Sequence, residues 1–285
     1  MDNKLLIKYF DRREIVIITK HQKDRVIAPL LEHSFSVKCS VNNKLDTDQF
    51  GTFSGEIERV GSPLDNARKK IEAGLENTKY TIGVSSEGSF GPHPLYYFIP
   101  GNEEIILYYD KKYDLEVQGY YLTDKTNFAF SSISGNEDLS EFILKAGFPS
   151  HGIILKAEKQ GKKIIFKELE TPGLLVKKAW ELLDAGYDVL AETDMRAHRN
   201  PTRMEAIGKA AENLVENLKS LCPSCNLPGF TVTEKISGLP CRWCKTPTKG
   251  IIKEIATCQK CQYERVIKDF SDQTQDPMYC DICNP

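Results

Sequence analysis

An α/β domain built on a mixed sheet, followed by a C-terminal double zinc ribbon, is the architecture the sequence predicts. Three observations predict it. Over residues 12–221, short β-branched runs alternate with segments of helical spacing, the pattern of a sheet covered by helices. Eight of the nine cysteines fall in residues 222–285, as four C-x-x-C pairs. The chain is 40% hydrophobic and 27% charged at a net charge of -2, ordinary for a globular protein and inconsistent with wholesale disorder. The expected division is one domain over 1–221 and a metal module over 222–285.

Each element follows from its local pattern. Glu14 to Thr19 carries four β-branched apolar residues in a row and reads as a buried strand. Lys20 to His33 has helical spacing in Val26, Ile27, Leu30 and Leu31, and Phe35 to Val41 alternates as a strand. Ser62-Pro63-Leu64-Asp65 is a helix start, with serine as cap, proline in the first position and an acid in the first turn. That helix runs to about Asn77. Tyr80 to Ser85 reads as a strand ending in a glycine-rich break. Leu95 to Phe130, aromatic and β-branched, reads as three strands. Leu139 to Ala146 is a short helix, and Ile153–Lys156 with Lys163–Lys167 a hairpin. Pro172 opens a helix to about Ala185, Tyr187 to Ala191 is a strand, and Thr202 to Leu221 a last helix.

No apolar run approaches the roughly 20 residues of a membrane helix, and the first residues lack the apolar core of a secretory signal. A cytoplasmic protein with no membrane contact is expected. Clustered cysteines there are metal ligands rather than disulfides. Cys39, alone in an alternating strand, reads as a buried inert thiol.

The four pairs are Cys222/Cys225, Cys241/Cys244, Cys258/Cys261 and Cys280/Cys283. Two intervening residues let a tight knuckle aim both sulfurs at one ion, and two knuckles complete a tetrahedral thiolate site that suits zinc. Gaps of 15 and 18 residues fit sequential pairing into two ribbons, and a nested arrangement is the alternative. With four thiolates per ion no position is open for water, so both zinc ions are read as structural. Eight Lys/Arg against seven Asp/Glu in this segment do not favour nucleic acid, which leaves a protein as the partner the ribbons would take.

Chemistry is expected in the first domain, where four polar clusters fall at strand ends or on loops. Thr19, Lys20 and Lys23 follow the first strand and open a helix, a place that attracts phosphate. Asp46, Asp48 and Glu56 lie in a glycine-containing stretch suited to a divalent cation. Glu87 stands among small residues in Ser85 to Pro94, as metal ligand or general base. Arg196, His198, Arg199 and Arg203 form an anion-binding set in Glu192 to Arg203. No G-x-x-x-x-G-K-[ST], G-x-S-x-G, HExxH or GxGxxG occurs, which sets aside P-loop enzymes, serine hydrolases, zinc proteases and Rossmann dehydrogenases.

Two resemblances rest on these residues. LDTDQFGTFSGEIER, SSEGSFGPHP, ETDMRAHRNPTRMEAI and the cysteine-rich tail resemble a bacterial domain-of-unknown-function family with a C-terminal zinc ribbon. Residues 14–210 are similar in layout to inosine/xanthosine triphosphate pyrophosphatases and Maf-like proteins. Thr19 to Lys23 stand where that superfamily has a phosphate-binding turn. Asn66-Ala67-Arg68-Lys69-Lys70 stand for its helix, Glu87-Gly88 for its acid beside glycine, and His198-Arg199 for its base-contacting pair. The asparagine-rich turn after the first strand is missing, Ser86 replaces a second acid, and the cysteine tail is foreign to it.

Read together, the four clusters and this resemblance point to a magnesium-dependent nucleoside triphosphate phosphohydrolase. Glu87, Asp46, Asp48, Arg196 and Arg199 would be its catalytic groups, with Thr19, Lys20, Lys23, His198 and Arg203 binding the nucleotide. The alternative is a non-catalytic nucleotide- or protein-binding zinc-ribbon protein.

Overall fold

The computed structural model describes residues 3–42, 45, 61–94 and 96–285. They form two compact units, residues 10–215 and residues 216–285 together with 1–9. A first helix, α1 (Asn3–Phe10), precedes the first strand. Among the described residues no helix is long and apolar enough to cross a membrane.

In the larger unit β1 (Glu14–Ile18) is followed by α2 (Asp24–Phe35), β2 (Lys38–Val41), α3 (Pro63–Leu75), β3 (Ile82–Pro92), β4 (Pro100–Asp110) and β5 (Leu115–Thr123). These strands make one mixed sheet in the order β2-β1-β3-β4-β5. β1 runs parallel to both β2 and β3, while β3, β4 and β5 are antiparallel neighbours. Successive residues of β1 face opposite sides. Val16 and Ile18 pack with Ala67 and Ile71 of α3. On the other side Ile17, Val84 and Tyr108 share a register row. Phe10 lies 6.2 Å from the Tyr108 ring and stacks at 4.2 Å on Phe35 of α2. Helices α2 and α3 therefore cover opposite faces. Helix α3 starts as its sequence demands, with Ser62 and Asp65 closing a capping box and Pro63 in the first turn.

A second, wholly antiparallel sheet is built from β6 (Phe130–Ile133), β7 (Ile153–Lys159), β8 (Lys162–Phe166) and β9 (Asp188–Thr193), in the order β6-β9-β7-β8. Helices α4 (Asn136–Ala146) and α5 (Pro172–Asp184) cover one face, where Phe142 and Leu175 meet Leu155, Val189 and Ala191. The single mixed sheet expected from sequence is thus two sheets. The expected break at Ser85–Pro94 is also corrected: β3, 11 residues long, runs on through it to Pro92, paired to β4 along its full length.

Helix α6 (Pro201–Lys219) lies on β5. A Cβ added to Gly119 would sit 2.3 Å from the Ala210 carbonyl oxygen and 2.6 Å from Leu214 Cβ, and Tyr120 N–H donates to Asn213 Oδ1 at 3.0 Å. The backbone approach is possible only because residue 119 has no side chain.

The smaller unit holds an antiparallel meander, β10 (Val232–Ser237), β11 (Ile251–Thr257) and β12 (Glu264–Asp269). Every residue of β12 is exposed, and four of the cysteines, at 222, 241, 258 and 280, are among its few buried side chains.

Gly119→Ala is expected to destabilise the larger unit by about 1–3 kcal/mol, the usual cost of overpacking. Urea unfolding reads this as a lowered midpoint, and an unchanged midpoint would mean that α6 does not rest on the β5 backbone.

Candidate functional site

Strand β1 has β2 on one side and β3 on the other, and the two crossover helices leave to opposite faces. In sheets of this kind a crevice forms at the carboxyl ends of the strands where the order reverses. Here those ends carry Thr19–Lys23 after β1 and Ser85–Gly88 within β3. The β1–β3 ladder stops at Ile18 opposite Ser85. Beyond it Lys23 takes over the free edge of β3, its Nζ donating to the Ser86 carbonyl at 3.1 Å.

The site is assembled from both faces. From α3, Lys70 ion-pairs with Glu87, and both are buried. Ser85 Oγ donates to the Ala67 carbonyl at 2.9 Å and ties that helix to β3. From the opposite face comes Arg203 of α6. Its Nε donates to Glu104 Oε1 at 2.7 Å, and both side chains are fully buried. Its guanidinium also donates to the Met195 carbonyl and lies 5.1 Å from the centre of the Phe90 ring. Gly88 makes room for the pair, since a Cβ there would be 2.5 Å from both Arg203 Nη2 and Glu104 Oε1. On the same face of β3 and β4, the Asn102 amide and Ser86 Oγ are buried without a hydrogen-bond partner among the described residues.

The electrostatics follow from burial. Lys23 is pushed down to about 7, chiefly by desolvation and then by Arg203, with Glu104 and Glu87 opposing. His21 and Gln22 before it both have positive φ, 64° and 61°, a backbone state costly for non-glycine residues. The His21 ring stacks on His198 at 4.9 Å. His21 is pushed down to about 3, first by burial and then by His198 and nearby cations, so it is neutral at pH 7. Beside this pair a cavity of about 660 Å³ opens between the start of α2 and α6, lined among others by Gln22, Arg25, His198 and Lys209.

Among the residues singled out from sequence, the structure brings Thr19, Lys23, Glu87, His198 and Arg203 to this region, with Lys20 half-buried next to Thr19. Asp46, Asp48 and Glu56 lie outside the described residues. Arg196 is held twice over, by Asp194 through contacts of 2.6–3.1 Å and by Glu168 at 2.6 Å, and Arg199 Nε lies 3.9 Å from Glu168. These two arginines brace the loop after β9. Glu104 is not among the residues that the sequence pattern singles out, and His21 and Lys70 enter it only as members of the Thr19–Lys23 turn and of a helix pattern. Glu104 had a signal, a lone pair of acids opening the apolar run Ile105 to Tyr109. Cys39 is partly buried, its thiol pushed up to about 12 by burial and by Glu32, in keeping with an inert role.

The cysteines form two tetrads, Cys222/Cys225/Cys258/Cys261 and Cys241/Cys244/Cys280/Cys283, with all sulfurs in each within 4.8 Å of one another. The pairing is therefore crossed, first knuckle with third and second with fourth. This corrects both the sequential ribbons and the nested alternative. The reason is the meander: one strand, about 20 Å for six residues, separates each knuckle from the next, so alternate knuckles land at the same end. Sulfur–sulfur distances of 3.6 Å for Cys222–Cys261, Cys225–Cys258 and Cys244–Cys280, and 3.9 Å for Cys241–Cys283, match the roughly 3.8 Å edge of a tetrahedron with 2.3 Å zinc–thiolate bonds. Each tetrad can hold a metal ion such as zinc.

A family model described as a domain of unknown function (DUF6671) matches residues 70–285, from Lys70 of the site to the end of the second tetrad. No curated protein and no solved structure matches the chain.

The crossed pairing predicts metal content. Cys225→Ser with Cys258→Ser strikes one tetrad and should leave one ion per chain by mass spectrometry of the purified protein. Cys225→Ser with Cys244→Ser strikes both and should leave none. Sequential ribbons would give the reverse.

Proposed function

Because the chain belongs to the DUF6671 domain-of-unknown-function family, its activity has to be read from its own geometry, and we propose that residues 10–215 are a magnesium-dependent nucleotide phosphohydrolase. The observation that carries this reading is the convergence of Lys23, Lys70 and Glu87, all buried, at the carboxyl ends of β1 and β3. Among the described residues Lys70 pairs with Glu87 and Arg203 with Glu104, while Lys23 Nζ is given a backbone carbonyl, that of Ser86. A buried ammonium in that position is stabilised by an incoming anion, and a phosphate chain supplies one.

Lys23 and Lys70 hold the phosphates in this reading. Magnesium is taken by one or two carboxylates together with substrate phosphate oxygens, and Glu87, paired with Lys70 beside Lys23, is the carboxylate proposed to supply one. When bound, the ion supplies polarisation of the phosphorus centre. Asp46 and Asp48 remain its further proposed ligands. The transition-state role expected of Arg196 and Arg199 is redrawn: Asp194 and Glu168 already engage them, so they hold the loop from which Arg203 reaches the site. The neutral His21–His198 stack walls the site without adding charge. The two metal tetrads are structural zinc sites, closed to water by four thiolates each.

The test is turnover of a nucleotide panel with magnesium. Glu87→Gln should lower it about 100-fold, the order of loss when one charge-stabilising group is removed from a site. No turnover of any nucleotide by the wild type, or an unaffected variant, would overturn the reading.

A second prediction concerns pH. An anion favours charged Lys23, which in the free protein loses its proton as pH rises through about 7. Affinity for inorganic tripolyphosphate should therefore be full below pH 7 and weaken by up to about tenfold per pH unit above it. In Lys23→Met the profile should be flat through that range.

A further inference from the structure

Past Glu87 the strand that carries the site leads to a second feature. The β3–β4 hairpin ends in Tyr96, Tyr97 and Phe98, which are 53%, 78% and 87% exposed, and Phe130 at the start of β6 is 65% exposed. Such side chains are normally turned inward, and a cluster of them on a surface marks a binding feature. Tyr97, Phe98 and Phe130, together with Phe128, line an open cavity of about 650 Å³ that also touches Asn127 and Lys145.

The cavity opens further along the strand that carries Glu87. Gly91, on its rim, is four residues beyond Glu87 on β3, about 13 Å along the strand. Phe128 stacks on Phe90 at 5.7 Å, and Phe90 in turn lies under Arg203. Two of the polar side chains of the cavity, Asn127 and Thr126, are already engaged, and Lys145 is a third polar group on its lining. Asn127 Nδ2 donates to the Ala146 carbonyl at 2.9 Å and its Oδ1 accepts from Asn200 Nδ2 at 2.8 Å. Thr126 Oγ1 accepts from the Phe128 N–H at 3.2 Å. What the cavity offers a ligand is chiefly aromatic faces, with Lys145 beside them.

We infer that this cavity is the ring subsite of the same ligand: it takes a planar heteroaromatic ring, the base of a nucleotide whose phosphates lie at Lys23 and Lys70, and holds it by stacking without choosing strongly between bases. The inference rests on the phosphate-site reading for the identity of that ligand. It differs from what the pyrophosphatase resemblance implies, which puts the base at His198 and Arg199. In this chain His198 is stacked on His21, and Arg199 leans toward Glu168. Stacking is sequence-tolerant because every base has a π face, whereas strong discrimination needs free donors and acceptors.

The experiment uses the full chain and two kinds of probe: the four common nucleosides, which have a ring and no phosphate, and inorganic tripolyphosphate, which has phosphates and no ring. Saturation-transfer NMR is expected to show all four nucleosides binding the wild type within about tenfold of one another. Tyr97→Ala with Phe130→Ala, both exposed and tolerant of truncation, should weaken them about tenfold or more, the size of a lost base–aromatic stack. His198→Ala should not weaken them, and neither should Tyr279→Ala, an exposed aromatic in the other unit. The inference is overturned if no nucleoside binds the wild type, if the aromatic variant binds as well as the wild type, if His198→Ala or Tyr279→Ala abolishes binding, or if one base is preferred about 100-fold. Nucleoside binding as described with no tripolyphosphate binding supports the ring subsite and removes the phosphate site, so the two failures are distinguishable.

Discussion

The ion pair between Arg203 and Glu104 is the contact on which the larger unit depends. Both side chains are fully buried, so neither charge has water to fall back on. Losing one partner of such a pair costs about 3–5 kcal/mol, because the other is left charged in a low-dielectric interior. Arg203 is also fixed at its backbone N–H by Asn200, at its guanidinium by the Met195 carbonyl, and over the Phe90 ring. Through these contacts the segment that leaves β9 of the second sheet is fastened to β3 and β4 of the first. Gly88 is glycine because the pair fills the space a side chain would need.

That pair also sets the electrostatics next to it. Glu104 is used up in balancing Arg203, and Glu87 is used in pairing Lys70 across the other face of the sheet. Lys23, between the two, inherits burial and the repulsion of Arg203, and its partner among the described residues is the Ser86 carbonyl oxygen. A protein does not keep a lysine buried in this state for packing, since an apolar side chain would fill the space at lower cost. Its location at the strand-order reversal, where open α/β sheets take their ligands, gives the same answer from topology.

Much of the fold was legible in the sequence because local signals agreed with the tertiary outcome. The run Ile15 to Ile18 is a central strand, Ser62-Pro63-Leu64-Asp65 caps a helix, and Pro172 opens one. Legibility failed where a distant partner decided. Gly88 and Gly91 looked like a break in β3, yet Gly88 is demanded by Arg203, more than 100 residues away in sequence. The four cysteine knuckles were plain from their spacing, but their pairing depends on how many strands lie between them, and the meander puts alternate knuckles together. In the site, Lys23, Glu87 and Arg203 stood out as polar residues at strand ends. Glu104 and Lys70 did not, because each is functional only through a partner on another element.

The smaller unit follows a different logic. Its strands are mostly exposed, and β12 entirely so, so apolar burial contributes little. Two cysteine tetrads able to hold metal ions, one at each end of the meander, can supply the cohesion that such a segment lacks. Proposed chemistry therefore sits in the larger unit, and the central claim is that its site is the crevice at the ends of β1 and β3. The most direct measurement is a crystal structure of the full chain with a non-hydrolysable nucleotide and magnesium. The phosphates should lie within hydrogen-bonding distance of Lys23 Nζ and Lys70 Nζ; phosphates bound elsewhere, with both lysines keeping their present partners, would contradict the account.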